Sequence, residues 1–404
     1  MKLKDIKIVN VTYCNENKTT PVGRLAIKDR QVLFEYEQEF LEMGLDLSPL
    51  KLPLKQGTTA CNDMTFEGLF GVFNDSLPDG WGRLLLDRKL LSIGINPDSL
   101  TPLDRLCYVG QRGMGALKYE PALDDSDPEQ HAKNLDVIAN ECLQFRDHHD
   151  DKYIDSLMAL NGSSAGARPK ILVRLPNSDT THNDWIIKFP SSLDPRDIGP
   201  IEYAYHRMAI EAGLEVPESK LFPSKTSEGY FGVKRFDKSE NGVFHMHTAS
   251  GLLHSDHRLP SMDYDTLIKA THWLTKNVGE CEKQYRHAVF NICAHNRDDH
   301  SKNFSFLMNE DGSWRVSPAY DLTFSSGPGG EHCSSIFGEG KNPEMAHLLK
   351  LAEVAGVSHQ KAMEIIDQVR TAISKWSHIS KESFVSRKSS DRIQKSLNLV
   401  LKNK

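Results

Sequence analysis

Little in these 404 residues points to cross-linking chemistry. The seven cysteines (Cys14, Cys61, Cys107, Cys142, Cys281, Cys293, Cys333) are scattered, odd in number and form no Cys-x-x-Cys pair. A disulfide framework or a thiolate zinc site is therefore not expected, and reduced, mostly buried thiols are. No apolar run approaches the ~18 residues of a membrane helix. The opening Met-Lys-Leu-Lys-Asp-Ile-Lys-Ile-Val-Asn lacks a signal-peptide core and reads as a strand. The expectation is a cytoplasmic protein without membrane attachment. An excess of positive charge is missing too. The net charge of −6 argues against non-specific nucleic-acid binding, which needs a basic surface. The locally basic stretch from Lys381 to Lys404 reads more simply as a solvated helix face. There are no internal repeats and no low-complexity segments.

What is present is a hydrophobic fraction of 39% and a charged fraction of 26%, those of a globular chain, in a length that implies two or three domains. Residues 1 to about 60 alternate as strands. Leu25 and Ile27, then Asp29-Arg30, then Val32, Phe34 and Tyr36 predict a hairpin with a two-residue turn. Phe66, Leu69, Phe70 and Phe73 have helical spacing. Asp75-Ser-Leu-Pro-Asp-Gly-Trp-Gly is turn chemistry, and a helix resumes at Arg83. Gly113-Met-Gly-Ala-Leu-Lys-Tyr reads as a strand entered through a tight bend, and the acidic Asp124-Asp-Ser-Asp-Pro-Glu as a surface linker. Strands are expected at Ile171–Leu175, Trp185–Pro190, Ser219–Phe222 and Tyr230–Asp237, with a helix from Ile201 ending at Gly213. From Lys238 the chain is expected to be mostly helical, with Ser358 as an N-cap and Ile365, Ile366, Val369 and Ile373 facing inward.

The stretch from His295 to Phe306 carries the chemistry. Asp298 stands five residues before Asn303, and Asp321 follows after a hairpin. Protein-kinase catalytic loops hold an Asp and an Asn at this spacing, with a metal-binding Asp further on. The Asp must reach an acceptor hydroxyl while the Asn, across a tight loop, reaches a metal on the phosphates. Upstream, Ser163, Ser164, Ala165 and Gly166 form a small-residue loop whose amides could approach phosphate oxygens. Lys188 sits in an apolar strand, where it must point outward or meet an anion. Glu202, near a helix start, could be that partner or could simply favour the helix dipole. His300 reads as a hydrogen-bonding organiser of the loop, and Lys302 as a residue that could touch phosphate. The His295, Asp298, Asp299 and His300 cluster leaves a metallohydrolase open. His245, His247, His254 and His257 come from one loop-like segment and suggest surface or core residues instead of ligands.

These motifs, together with Phe70-Gly-Val-Phe-Asn-Asp-Ser-Leu-Pro-Asp-Gly-Trp-Gly-Arg, Ser163-Ser-Ala-Gly-Ala-Arg-Pro-Lys, Ile186-Ile-Lys-Phe-Pro, Val233-Lys-Arg-Phe-Asp and Pro318-Ala-Tyr-Asp-Leu, resemble the HipA-type serine/threonine kinases of bacterial toxin–antitoxin pairs. The likeness covers about residues 20 to 375. It implies an α+β, two-lobed protein-kinase-like fold with an additional N-terminal α+β subdomain. The expected divisions are 1–100, then a β-rich N-lobe over 101–237, then a helical C-lobe over 238–404. It implies ATP and Mg²⁺, with Asp298 as catalytic base, Asn303 and Asp321 as metal ligands and Lys188 as the ATP-phosphate lysine. Val233 to Phe236, Lys234 included, would form the adenine hinge, and Ser163, with Ser164 as its rival, would be the autophosphorylated serine. A HipB-like helix-turn-helix antitoxin, operator DNA reached only through it, and a protein substrate such as a translation factor or aminoacyl-tRNA synthetase complete the expectation. A small-molecule kinase and a non-catalytic co-repressor scaffold are the other readings.

Overall fold

The structure, a computed structural model, describes residues 6–15, 18–123, 134–148, 150–161, 166–175, 183–240 and 242–403. Strands β1 (Ile8–Asn15), β2 (Lys18–Lys28) and β3 (Gln31–Tyr36) form an antiparallel meander. β4 (Thr58–Ala60) extends one edge and β5 (Leu117–Glu120) the other, in the order β4-β3-β2-β1-β5. The hairpin turn falls where the alternation placed it, with Ile27 opposite Val32 and Leu25 opposite Phe34. Asp29 and Arg30 both adopt positive φ, the primed geometry whose twist suits two antiparallel strands. Gly115, at φ +72°, makes the bend into β5. Because β5 pairs with β1, this first sheet crosses the division expected at residue 100.

Phe66, Leu69, Phe70 and Phe73 are all buried but do not share a helix. Residues 65–68 are a turn with Glu67 and Gly68 at positive φ, and only Gly71–Asn74 is helical. Two successive turns can bury the same four side chains that one helix would, so spacing alone misled. The helix expected from Arg83 begins earlier and spans Gly80–Ser92.

The next unit is a four-stranded antiparallel sheet of β6 (Lys170–Arg174), β7 (Asp184–Lys188), β8 (Ser219–Phe222) and β9 (Tyr230–Lys234), in the order β6-β7-β9-β8. Helix Ile198–Glu211 packs against it and ends with Gly213 at φ +78°. The chain does not turn helical at Lys238 as expected. Short strands continue to His245–Thr248, which pairs with Ser305–Met308, itself paired with Trp314–Val316. His245 and His247 are therefore buried strand residues, not part of a loop. Helices Tyr264–Thr275, Val278–Cys293, Met345–Val354, His359–Ser374, Trp376–Glu382 and Arg387–Asn403 make up most of the rest. Ser358 caps its helix by accepting the Lys361 N–H at 3.3 Å.

One apolar core runs from the first sheet (Val11, Phe34, Tyr119) through the helices (Tyr285, Ile292, Ile366, Trp376). The β-rich lobe has its own core around Phe145, Ile171 and Trp185, and it takes in Trp81 and Leu85 from helix Gly80–Ser92. The N-terminal unit thus shares packing with both lobes of an α+β, two-lobed fold. All seven cysteines are free thiols, five of them buried. Among the described residues no helix is long and apolar enough to cross a membrane.

Candidate functional site

Alternation along β7 buries Trp185 and Ile187. Lys188 closes the strand with a side chain only 11% exposed. Its ammonium reaches Glu202 Oε2 at 3.1 Å and also binds Asp321 Oδ1, from the helical lobe. The Glu202 partner was anticipated; the bond to Asp321 was not. Burial alone would lower the Lys188 pKa, but the Asp321 and Glu202 carboxylates raise it above its ordinary value. Burial would likewise raise the Asp321 carboxyl, and Lys188 and Lys170 hold it below the usual range instead. Asp321 sits at φ +53°, a backbone conformation a non-glycine residue enters at some cost, typical of sites whose surroundings over-determine them. Lys170 lies opposite Lys188 in the β6–β7 register, and Arg168 Nη1 binds Glu202 Oε1 at 2.6 Å. Neither was singled out from sequence.

Helix Val278–Cys293 delivers the loop that follows it, with His295 at φ +56° and its Nδ1 on the Ser325 carbonyl at 3.1 Å. Asp298 keeps a side chain 57% exposed. Asn303 folds back so that its Nδ2 donates to the Asp298 carbonyl at 2.7 Å, which joins the two residues that the spacing singled out. The adjacent Asp299 turns the other way, into the core. It accepts from the Tyr264 hydroxyl (2.6 Å) and the Cys333 N–H (2.8 Å), and it lies 2.8 Å from His332 Nδ1. Hence His295, Asp298, Asp299 and His300 do not converge on one point, and the metallohydrolase reading loses its ligand set. Among the described residues no group of three or more His, Cys, Asp or Glu could hold a metal ion.

Among the described residues His300 has no hydrogen-bond partner on its buried Nδ1; its Nε2 lies 4.0 Å from Asp298 Oδ1, and its ring sits 5.7 Å from that of His257. Lys302 is buried and bonds Asp79 Oδ2 at 2.7 Å. In the segment expected to form the hinge, the Lys234 and Arg235 N–H groups are committed to the Glu218 and Asp184 carbonyls, and Phe236 packs on Tyr320 with ring centres 5.3 Å apart. Ser163, Ser164 and Ala165 lie outside the described residues. Gly166 is placed: its N–H donates to Asp79 Oδ1, and its carbonyl accepts the Trp81 N–H at 2.9 Å.

Asp79, whose carboxylate meets both Gly166 and Lys302, is the contact not foreseen, and Asp75 beside it is a structural anchor. Sequence reading took Asp75-Ser-Leu-Pro-Asp-Gly-Trp-Gly only as turn chemistry. Asp75 accepts from the Thr248 N–H at 2.8 Å and its hydroxyl at 2.6 Å, and sits 2.6 Å from His247 Nδ1. The available signal was two carboxylates in a segment whose neighbours, Phe70, Phe73 and Trp81, are apolar and large.

The donor atoms suit a magnesium ion, which takes oxygens and usually only one or two from the protein. Asn303 spends its NH₂ on Asp298, leaving the amide oxygen for a cation. Asp321 offers the carboxylate oxygen that Lys188 does not hold.

Two family models match the chain: HipA-like C-terminal domain over residues 162–376 and HipA N-terminal domain over residues 16–120. A Sinorhizobium fredii protein named "Putative kinase Y4dM" is 25% identical over 390 residues, covering 88% of each chain. The HipA chain in the Shewanella oneidensis MR-1 complex of HipA, HipB and operator DNA superposes with a TM-score of 0.67 at 15% identity. That match covers 94% of this chain and 93% of the other. The fold expected from the motifs is thereby the fold found.

Proposed function

This chain belongs to the HipA family, and on that footing we propose that it is an ATP-dependent serine/threonine protein kinase acting as the toxin of a toxin–antitoxin pair. The observation that carries the reading is the bond across the cleft, where Lys188 of the β-rich lobe meets both Glu202 and Asp321. Two anions around one lysine define where a triphosphate and its cation would be exchanged for them. In this reading Asp298, accessible and fixed through its own carbonyl by Asn303, orients the acceptor hydroxyl and takes its proton. Lys188 neutralises nonbridging oxygens, and the hinge at Lys234 to Phe236 faces the adenine. Asn303 and Asp321 hold Mg²⁺, which when bound screens charge on the phosphates. His300, Lys302 and Gly166 line the phosphate side in this reading, and Ser163 or Ser164 is the candidate for self-modification.

The named relatives extend the proposal to partners. The Shewanella HipA stands in a complex with HipB and operator DNA. A HipB-like antitoxin is the partner proposed here, with DNA contacted chiefly through it, as the net charge of −6 suits. A cytoplasmic protein of translation is the proposed substrate. The divisions 1–100, 101–237 and 238–404 serve as the working domain scheme, with β5 exchanged across the first boundary.

The test is transfer of labelled phosphate from ATP, read on the protein itself and on cellular proteins. Asp298→Ala and Asp321→Ala are each expected to lower the rate by roughly 10²–10⁴. Near wild-type transfer by either variant would remove the assignment.

A further inference from the structure

The turn at residues 79–81 belongs to the N-terminal unit, yet three of its contacts enter the proposed site. Asp79 places one carboxylate oxygen on the Gly166 N–H, at the end of the small-residue loop, and the other on Lys302 of the catalytic loop at 2.7 Å. Trp81 donates its N–H to the Gly166 carbonyl at 2.9 Å, so Gly166 is held from both sides of its peptide. The side chain of Trp81 then enters the core of the β-rich lobe, edge-on to Phe145 at 5.6 Å. The approach is close enough to demand glycines. A Cβ on Gly80, at φ +44°, would lie 2.6 Å from the Gly166 carbonyl oxygen and 2.8 Å from the Ala167 Cα. Gly166 itself sits at φ +107°. A buried lysine and a loop amide sharing one carboxylate form a three-way joint among the N-terminal unit, the phosphate-side loop and the catalytic loop.

We infer that Asp79 is a positioning residue of the phosphotransfer site: the N-terminal unit clamps Gly166 to Lys302 and so sets how tightly nucleotide is held. The inference rests on the kinase reading. Asp79 touches no reacting atom; it acts through Gly166 and Lys302. Removing its charge frees the ammonium and loosens the loop end together, which raises KM for ATP more than it lowers kcat. Asp75 supplies the control. It anchors the same unit to His247 and Thr248, and its described contacts include neither Gly166 nor Lys302.

The experiment uses the full-length chain with Mg²⁺ and ATP, compares wild type, Asp79→Asn and Asp75→Asn, and measures KM, kcat and melting temperature. Asp79→Asn is expected to raise KM for ATP at least five-fold with a smaller fall in kcat. Asp75→Asn is expected to lower the melting temperature and leave KM within two-fold. Unchanged KM in Asp79→Asn, or an equal rise in Asp75→Asn, overturns the clamp. If Asp79→Asn does not fold, hydrogen–deuterium exchange on the wild type decides. A non-hydrolysable ATP analogue should slow exchange in residues 79–85 together with 166–170, and no change in 79–85 overturns the clamp. A wild type that neither binds the analogue nor transfers phosphate refutes the kinase reading itself, a separate result.

Discussion

Single residues in this molecule are placed by paired charges where water is scarce. Arg235 and Asp237 form a fully buried fork, with Arg235 Nε on Asp237 Oδ1 at 2.9 Å and Nη2 on Oδ2 at 2.6 Å, while the Gly115 N–H also donates to that carboxylate. Burial would raise the Asp237 pKa, but the Arg235 charge and these hydrogen bonds bring it down to about 2. A carboxyl with a depressed pKa stabilises the fold fully above its unfolded value near 4. That contribution fades as pH falls toward 2. Asp237→Asn leaves Arg235 buried without its counter-charge. It is expected to cost about 3–5 kcal/mol in urea unfolding at neutral pH. The gap to wild type should narrow as pH drops from about 4 to about 2; a pH-independent gap would mean that charge is not the cause.

At the scale of elements, the β2–β3 hairpin shows what alternation can and cannot say. The pairing of Leu25 with Phe34 follows from a period of two, and the sequence places it correctly. The turn residues are less apt, because Arg30 must hold φ +64° with a Cβ. Arg30→Gly is therefore expected to stabilise the chain by roughly 1 kcal/mol, the cost of a left-handed L-residue, read as a shift in the urea midpoint. A loss of stability would show that the Arg30 side chain contributes more than its backbone costs. The loop from His295 to Phe306 was legible for a related reason: Asp298 and Asn303 are close in sequence, and the fold of the loop is local. The Lys188–Glu202 pair was half legible, since a lysine in an apolar strand needs an anion. The bond to Asp321 was not, because its partners are 133 positions apart and only the lobe packing brings them together. His245 and His247 were misplaced because a four-residue strand has too little period to detect.

Across the whole molecule, the N-terminal unit is not an appendage. Its sheet shares one continuous core with the helical lobe, and its Trp81 and Leu85 finish the core of the β-rich lobe. A fragment of residues 121–404 therefore exposes large apolar faces of both lobes. It is expected to be insoluble or to lose cooperative unfolding, as judged by circular dichroism during denaturation. A fragment that melts cooperatively like the full chain would show that the shared core is dispensable. None of this was legible in sequence, because a core assembled from distant segments leaves no mark of which segment covers which. The Asp299 contacts carry one more consequence. Many kinases keep the stretch after the metal-binding Asp loose until a phosphate orders it. Here that stretch is fastened at residues 332–333 by an internal carboxylate already in place. Such a segment is held by the chain's own side chains, and its fastening calls for no added phosphate.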